Sequence, residues 1–151
     1  MAEPTPARSR NMAAIKGKNT LPEKALRSGL FALGLRFRLH ARGLPGSPDL
    51  VFPKYRAVVF VHGCFWHRHP GCRFTTVPKN NAEFWANKFS ANVKRDQVAV
   101  FTLHELGWRV AVVWECAVRA SPQDTVLLLS GWLRSSQPSD ITIGGADIGR
   151  P

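Results

Sequence analysis

The sequence predicts an α/β protein in which helices cover the faces of one β-sheet. Its apolar residues recur with helical spacing in three segments and with strand-like patterning in four, in the order helix, three strands, helix, strand, helix. That order is typical of a sheet packed between helices. A chain of 151 residues with 44% hydrophobic residues, five Trp and nine Phe can fill one such core without disulfide cross-links.

The first predicted helix, "NTLPEKALRSGLFALG", is delimited by residues that favour helix ends. Thr20 is the N-cap, Pro22 lies in the first turn, and Glu23 follows the cap by three residues as in a capping box. Gly34 ends the helix. The predicted apolar face consists of Leu26, Leu30 and Leu33.

The remaining elements follow from periodicity and turn residues. "LRFRL" alternates as a half-buried strand, and "DLVF", "PKY" and "RAVVFVH" indicate a hairpin whose second strand is fully buried. After a loop from Gly63 to Asn80, "NAEFWANKFSANVKRDQVAVFTLHELG" has helical spacing and ends at Gly107. "WRVAVVWE" is another buried strand, and "SPQDTVLLLSGWL" is a helix opened by Ser121 and Pro122.

Composition divides the chain into an arm, a folded domain and a tail. Residues 1–19 are polar and basic and predict an arm that binds a polyanion, residues 20–134 form the domain, and the Pro/Gly/Ser-rich residues 135–151 are expected to be disordered. The basic residues of the arm are Arg8, Arg10, Lys16 and Lys18.

Charge and hydropathy restrict the partners. The net charge of +11 and the isoelectric point near 10.6 favour nucleic acid as the partner. An apolar run of about 18 residues and a secretory signal are both missing from the sequence, so we expect a cytosolic protein without a membrane segment.

The stretch "VFVHGCFWHRHPGC" holds a cluster of metal-ligand residues. Cys64, Cys72 and one of the two histidines, His67 or His69, lie close enough in sequence to share one zinc ion, with Cys116 as a remote fourth ligand. Spacing alone leaves the choice of histidine open. Cysteines packed as small apolar residues are the less favoured alternative, because the spacing is tight.

A second group of residues has the chemistry of a nuclease. Asp49 opens a strand whose neighbour ends at His62, a common place for a carboxylate that binds Mg²⁺, although a turn aspartate is the alternative. His62 and His67 can transfer protons near neutral pH. Glu23 and Asp96 could complete the site, or serve only as a capping-box residue and a surface charge of a helix.

Two aromatic doublets lie near these groups. In an extended loop, neighbouring side chains point to opposite sides, so one member of the pair Phe65 and Trp66 is expected to reach outward, where it could wedge between base pairs. Phe84 and Trp85 form the second doublet, and packing in the core is a better interpretation for Phe84, on a helix, than for Trp66.

Four segments together resemble the very short patch repair family of DNA mismatch endonucleases. They are "NMAAIKGKNTLPEKALRSGL", "GLPGSPDLVFPKYRAVVFVHGCFWHRH", "EFWANKFSANVKRD" and "LGWRVAVVWECA", and the resemblance spans roughly residues 8 to 133. It implies a restriction-endonuclease-like mixed sheet flanked by helices, with a structural zinc site. It also implies nicking of duplex DNA on the 5′ side of the thymine in a T·G mismatch left by deamination of 5-methylcytosine.

The resemblance also implies roles for individual residues. Asp49 and the backbone carbonyl of Val61 would bind Mg²⁺, and His67 would be the catalytic histidine, supported by Glu23, His62 and Asp96. The zinc ligands would be Cys64, His69, Cys72 and Cys116. The wedge residues would be Phe65, Trp66 and Trp85.

Two positions depart from the family pattern. Val61 stands where threonine is usual, which removes a hydroxyl but keeps the backbone carbonyl, and "HRHPGC" has one extra residue between the zinc histidine and cysteine. The implied partner is double-stranded DNA with a T·G mismatch, bound by a monomer associated with the nucleoid, with mismatch-repair proteins and a repair polymerase as further partners. The rival hypotheses are a non-catalytic zinc-containing nucleic-acid-binding module and a restriction-like nuclease that cuts matched sites.

Overall fold

The computed structural model describes residues 20–135 and 137–148, and in this part of the chain a five-stranded mixed sheet is flanked by helices. The predicted α/β class is therefore confirmed. The helices are α1 (Leu21–Ala32), α2 (Ala82–Glu105), α3 (Glu115–Ala120) and α4 (Pro122–Arg134). The strands are β1 (Arg38–Leu39), β2 (Leu50–Phe52), β3 (Ala57–His62), β4 (Arg109–Trp114) and β5 (Ile141–Ile143).

The strands lie in the order β1-β2-β3-β4-β5, antiparallel from β1 to β3 and parallel from β3 to β5. A 3₁₀ turn, Pro53–Tyr55, closes the predicted hairpin between β2 and β3. The crossover from β3 to β4 contains the cysteine- and histidine-rich loop and α2. Because β3 and β4 are parallel, with His62 opposite Trp114, this loop begins at the same edge of the sheet where β4 ends.

Apolar residues pack on both faces of the sheet. On one face the residues of α1, α3 and α4 form the larger core cluster, which contains Leu26, Leu30 and Leu129. On the other face α2 covers Val58 and Val110. Because both faces are buried, the sequences of β3 and β4 are continuously apolar and do not alternate between apolar and polar residues.

The starts of the helices agree with the predicted caps. The hydroxyl of Thr20 accepts a hydrogen bond from the Glu23 amide at 3.4 Å, and that of Ser121 accepts one from the Asp124 amide at 3.2 Å. The predicted apolar face of α1 holds for Leu26 and Leu30, but Leu33 is the C-cap residue and stays 39% exposed.

Two predictions about elements were wrong, and one helix was missed. The alternating segment 35–39 pairs with β2 only at Arg38 and Leu39, and α3 was not predicted. The tail was expected to be disordered, yet Ile141–Ile143 pair in parallel with β4, and Ile143 and Ile148 are buried. The Pro/Gly/Ser-rich composition of the tail favoured a prediction of disorder, whereas its few apolar residues are buried only when the folded sheet is present.

The predicted basic arm, with Arg8, Arg10, Lys16 and Lys18, lies outside the described residues. Among the described helices, none has the length and apolar character needed to cross a membrane.

Candidate active site and metal centre

Asp49 lies immediately before β2 and contacts the end of β3. The last β2–β3 pair at this end is Leu50 with Val59, so the amide of Val61 lies beyond the ladder and donates instead to Asp49 Oδ2 at 2.7 Å. The predicted metal-binding carboxylate is thus fixed next to the backbone of the residue whose carbonyl the family resemblance assigns to Mg²⁺.

Glu23 reaches the same place from the first turn of α1. It is only 2% exposed, and its carboxylate accepts hydrogen bonds from Arg27 Nη1 at 3.0 Å and from His40 Nε2 at 3.2 and 3.0 Å. The side chain therefore points into the protein, and only the Thr20 half of the predicted capping box is present.

His40 is a residue of this site that the sequence analysis missed. Its backbone amide donates to the carbonyl of Asp49 at 3.0 Å, and its φ of 47° turns the chain after β1 so that the imidazole reaches Glu23. The sequence does not indicate a role for a histidine in this polar loop, because its partner Glu23 is seventeen residues away.

The two carboxyl groups form a site that favours a cation. Burial is the main cause that raises the pKa of Asp49 to about 7; the hydrogen bond from Val61 opposes this rise, and the charge of Glu23 contributes to it. Glu23, His40 and Asp49 each offer one ligand atom, and these atoms lie within 4.8 Å of one another. A divalent cation would relieve the repulsion between the carboxylates, and its preference for oxygen ligands suits Glu23 and Asp49.

A pair of stacked histidines lies at the end of β3. The rings of His62 and His67 are parallel within 3° with centroids 3.9 Å apart, and His67 Nδ1 is 2.6 Å from Asp96 Oδ2 on α2. Burial, followed by the charge of His67, lowers the pKa of His62 to about 3 and keeps it neutral. Asp96 fixes the tautomer of His67, which leaves Nε2 for proton transfer.

The five residues predicted to be catalytic surround one cavity of about 180 Å³. They are Glu23, Asp49, His62, His67 and Asp96. Glu115, the first residue of α3, also lines this cavity and was not singled out from the sequence. Carboxylates on one side and an oriented imidazole on the other are the groups needed for metal-assisted hydrolysis of a phosphodiester.

The four predicted zinc ligands also meet. Cys64, His69, Cys72 and Cys116 offer ligand atoms within 4.8 Å of one another, and Cys116 Sγ is 3.4 Å from His69 Nδ1. Tetrahedral zinc places neighbouring ligand atoms about 3.3 to 3.8 Å apart, so the donor set fits such an ion. His67 instead faces Asp96, so the structure groups His69 with the cysteines.

Local hydrogen bonds hold the metal-ligand loop in shape. The amide of His69 donates to the Cys64 carbonyl at 3.0 Å, and the hydroxyl of Thr75 donates to the His69 carbonyl at 2.7 Å. All three cysteines are free thiols, and burial raises the pKa of Cys64 and of Cys116. A bound cation would reverse that effect, because metal binding favours the thiolate.

The aromatic doublets differ from the prediction. Trp66 and Trp85 are each 6% exposed and pack with Phe89, while Phe65 lies half-buried against them and Phe84 is 49% exposed. The loop is not extended: the amide of residue 67 bonds to the carbonyl of residue 63, so consecutive side chains turn to the same side, towards α2. We refer to Phe65, Trp66, Trp85 and Phe89 as the aromatic cluster.

Comparison with known proteins identifies the family. A sequence profile described as "DNA mismatch endonuclease Vsr" matches residues 4–73. The chain is 55% identical over 105 residues to the type II nicking enzyme V.XorIIP of Xanthomonas oryzae pv. oryzae, covering 70% of this chain and 76% of that enzyme. It is 51% identical over 112 residues to the DNA mismatch endonuclease Vsr of Escherichia coli, covering 74% and 71%. The chain belongs to the Vsr family.

Among solved structures, this Vsr-family chain is similar to the catalytic domain of the homing endonuclease I-Bth0305I. The TM-score is 0.49 and the identity 16%, over 78% of this chain and all of that domain.

Membership of the Vsr family makes the protein a DNA endonuclease. The cavity and the Cys/His cluster are two distinct sites of this Vsr-family enzyme. The cavity holds the carboxylates and the histidine–aspartate pair. Three members of the Cys/His cluster lie on the loop that carries His67, between β3 and α2, and Cys116 lies on α3.

Proposed function

We propose that this Vsr-family endonuclease nicks duplex DNA on the 5′ side of the thymine in T·G mismatches produced by deamination of 5-methylcytosine. The observation that carries the proposal is the convergence of Asp49, Glu23 and the His67–Asp96 pair on one cavity. The identity to a relative named as a mismatch endonuclease supports the mismatch as substrate, while other relatives are named as nicking enzymes.

In this proposal Mg²⁺ is the catalytic cation, held by Asp49 and the backbone carbonyl of Val61. When bound, it would polarise the scissile phosphate and lower the pKa of a water molecule. Asp49 is held for this role by the 2.7 Å hydrogen bond from the Val61 amide. Glu23, which lies beside Asp49 and whose carboxylate is held by Arg27 and His40, orients the attacking water.

His67 moves the proton. With Nδ1 bound to Asp96, its Nε2 can accept a proton from water or donate one to the leaving oxygen. His62, neutral at physiological pH, supports the ring of His67 by stacking without adding a second positive charge. Asp96 stabilises the imidazolium that forms when His67 takes up a proton.

A structural zinc ion at Cys64, His69, Cys72 and Cys116 is the second metal of the proposal. Three thiolates and one imidazole form a closed shell that leaves no position for substrate, as is typical of structural zinc. Its role would be to fix the turn that carries His67, two residues before His69. The fit of the donor set supports this role.

DNA binding would use two surfaces. The aromatic cluster lies on the metal-ligand loop and the first turns of α2, next to the cavity, where Phe65, Trp66 and Trp85 could separate the stack beside a mismatch, since a mispaired base is easier to unstack. Arg8, Arg10, Lys16 and Lys18 of the basic arm would bind phosphates without base preference. The enzyme would act as a monomer, with repair proteins following the nick.

The experiment that tests the proposal compares two duplexes that differ only in one base pair. A duplex with a T·G mismatch within a methyltransferase site and its matched T·A counterpart are incubated with the protein, in Mg²⁺ or in EDTA. We expect one nick, 5′ of the mismatched thymine, in Mg²⁺ only. Equal nicking of both duplexes would favour a restriction-like nuclease, and binding without nicking would favour a non-catalytic module.

A further inference from the structure

The segment Ile141–Ile148, which we call the C-terminal strap, lies against the Cys/His cluster. The amide of Gly145 donates a hydrogen bond to Cys116 Sγ at 3.1 Å. A methyl group added at Gly144 would lie 3.0 Å from His69 Cε1, and one at Gly145 would lie 3.3 Å from Cys116 Sγ. Two of the four candidate metal ligands are therefore covered by backbone at which an added side chain would come closer than ordinary van der Waals contact.

The strap is fixed at both ends. Ile141–Ile143 pair with β4, and Ile143 and Ile148 are 1% and 6% exposed. Between them Asp147 Oδ2 accepts a hydrogen bond from the Gly144 amide at 2.8 Å, which closes the turn. Gly144 has φ −118°, which any residue can adopt, so contact with His69 rather than backbone strain is what excludes a side chain there.

The polarity of these contacts suits a metal-loaded centre. The N–H donor on the Cys116 sulfur stabilises the thiolate, which is the form that binds a metal. Outer partners of this kind orient the metal ligands, and their loss commonly costs about 10 to 100-fold in metal affinity.

We propose that the C-terminal strap is the outer wall of the metal centre, and that metal binding and strap docking are thermodynamically coupled. This inference rests on the proposed occupancy of the centre by zinc. Coupling of this kind is reciprocal: the docked strap raises the affinity for the metal, and the bound metal holds the strap against β4. A chain of ring contacts connects the strap to the active site: Gly144 lies against His69, His69 stacks on Trp114 at 4.3 Å, and the ring of His62 meets Trp114 edge-on at 5.2 Å.

The first test measures release of zinc from full-length protein. Gly144→Ala and the double variant Gly144→Ala/Gly145→Ala push a methyl group into the ligands, whereas Gly131→Ala adds one on α4 with no atom within 4 Å. After metal content has been measured, an excess of a chromogenic chelator is added and the release rate is followed. We expect release at least about 10-fold faster in the strap variants and unchanged in Gly131→Ala.

The second test examines the reverse direction in the wild-type protein. Amide hydrogen exchange of residues 141–148 is compared before and after zinc is removed, with the β2–β3 hairpin as the internal reference. We expect removal to accelerate exchange in the strap more than in the hairpin. Parent-like release from both strap variants, or unchanged strap exchange, overturns the coupling while the zinc proposal stands. Purified protein that neither contains nor takes up zinc overturns both.

Discussion

At the scale of single residues, Asp49 combines two opposing demands. Its carboxylate is buried beside Glu23, which raises its pKa from 3.8 to about 7, yet the proposed chemistry needs it ionised around a cation. Without a divalent cation, protonation of Asp49 therefore favours the folded chain. That contribution is fully present below about pH 4 and is lost as the pH rises through 7.

We accordingly predict that Asp49→Asn stabilises the protein at pH 8 when no divalent cation is added. Asparagine keeps an oxygen for the Val61 amide but cannot ionise next to Glu23, so the gain should be on the order of a few kcal/mol. Thermal unfolding at pH 8 and pH 5 checks this, with a smaller gain expected at pH 5. A variant that is less stable than the parent at pH 8 would contradict it.

His40 holds the carboxylate of Glu23 by a hydrogen bond. We expect His40→Ala to lower kcat about 10-fold with little change in KM, because the loss of the Nε2–H donor frees the Glu23 carboxylate without touching DNA. His40→Gln keeps an N–H donor and should recover most of the rate, which identifies His40 as a positioning residue. Equal losses in both variants would show that His40 matters only for folding.

At the scale of elements, the aromatic cluster changes how mismatch recognition is best tested. Trp66 is buried, so Trp66→Ala should lower the free energy of unfolding by about 3 to 5 kcal/mol. A loss of DNA binding by this variant could then result from unfolding. Phe65 is half-buried at the edge of the cluster and is the better probe.

We predict that Phe65→Ala weakens binding to a T·G duplex by about 1 to 3 kcal/mol, the range typical of stacking between a base and an aromatic ring. Affinity for the matched duplex should change much less. Phe84→Ala, which removes an exposed ring that also touches Trp85, is the matched control and should bind like the parent. The same loss on matched and mismatched duplexes would refute a role in recognition.

The elements also show how far sequence reasoning extends. Caps and apolar periods predicted α1, α2, α4 and the buried strands, because these signals are local. The strap could not be predicted this way, since Ile143 gains its partners only once β4 is in place. The orientation of Phe65 and Trp66 was wrong because hydrogen bonds within the loop curl a segment that was taken to be extended.

In the candidate site, too, some residues were predictable from the sequence and others were not. Asp49, His62 and His67 stood out because their residue types and places relative to strands have a known chemistry. The contact between His40 and Glu23 joins a loop to a helix, and no spacing in the sequence encodes it.

At the scale of the whole molecule, charge is distributed unevenly. The chain has 21 basic and 10 acidic residues, yet four acidic residues line the cavity of about 180 Å³ that His67 also lines. The basic excess can attract the DNA backbone while the acidic cavity attracts the cation that must meet the phosphate. The four acidic residues are Glu23, Asp49, Asp96 and Glu115.

The basic arm should contribute affinity without sequence preference. Deleting residues 1–19 removes four basic side chains, and each phosphate contact contributes about 0.9 to the slope of log affinity against log salt concentration. We expect the slope to become shallower by about 3 to 4 units on matched and mismatched duplexes alike. An unchanged slope would mean that the arm does not bind phosphates.

The proposed active site is tested most directly by single-turnover nicking of a T·G duplex in Mg²⁺ by the parent, Asp49→Ala and His67→Ala. We expect a nick 5′ of the mismatched thymine for the parent and none for Asp49→Ala. For His67→Ala we expect a rate at least about 10²-fold lower, with DNA affinity and zinc content retained in both variants. If both variants nick the duplex at the parent rate, the active site lies elsewhere in the protein.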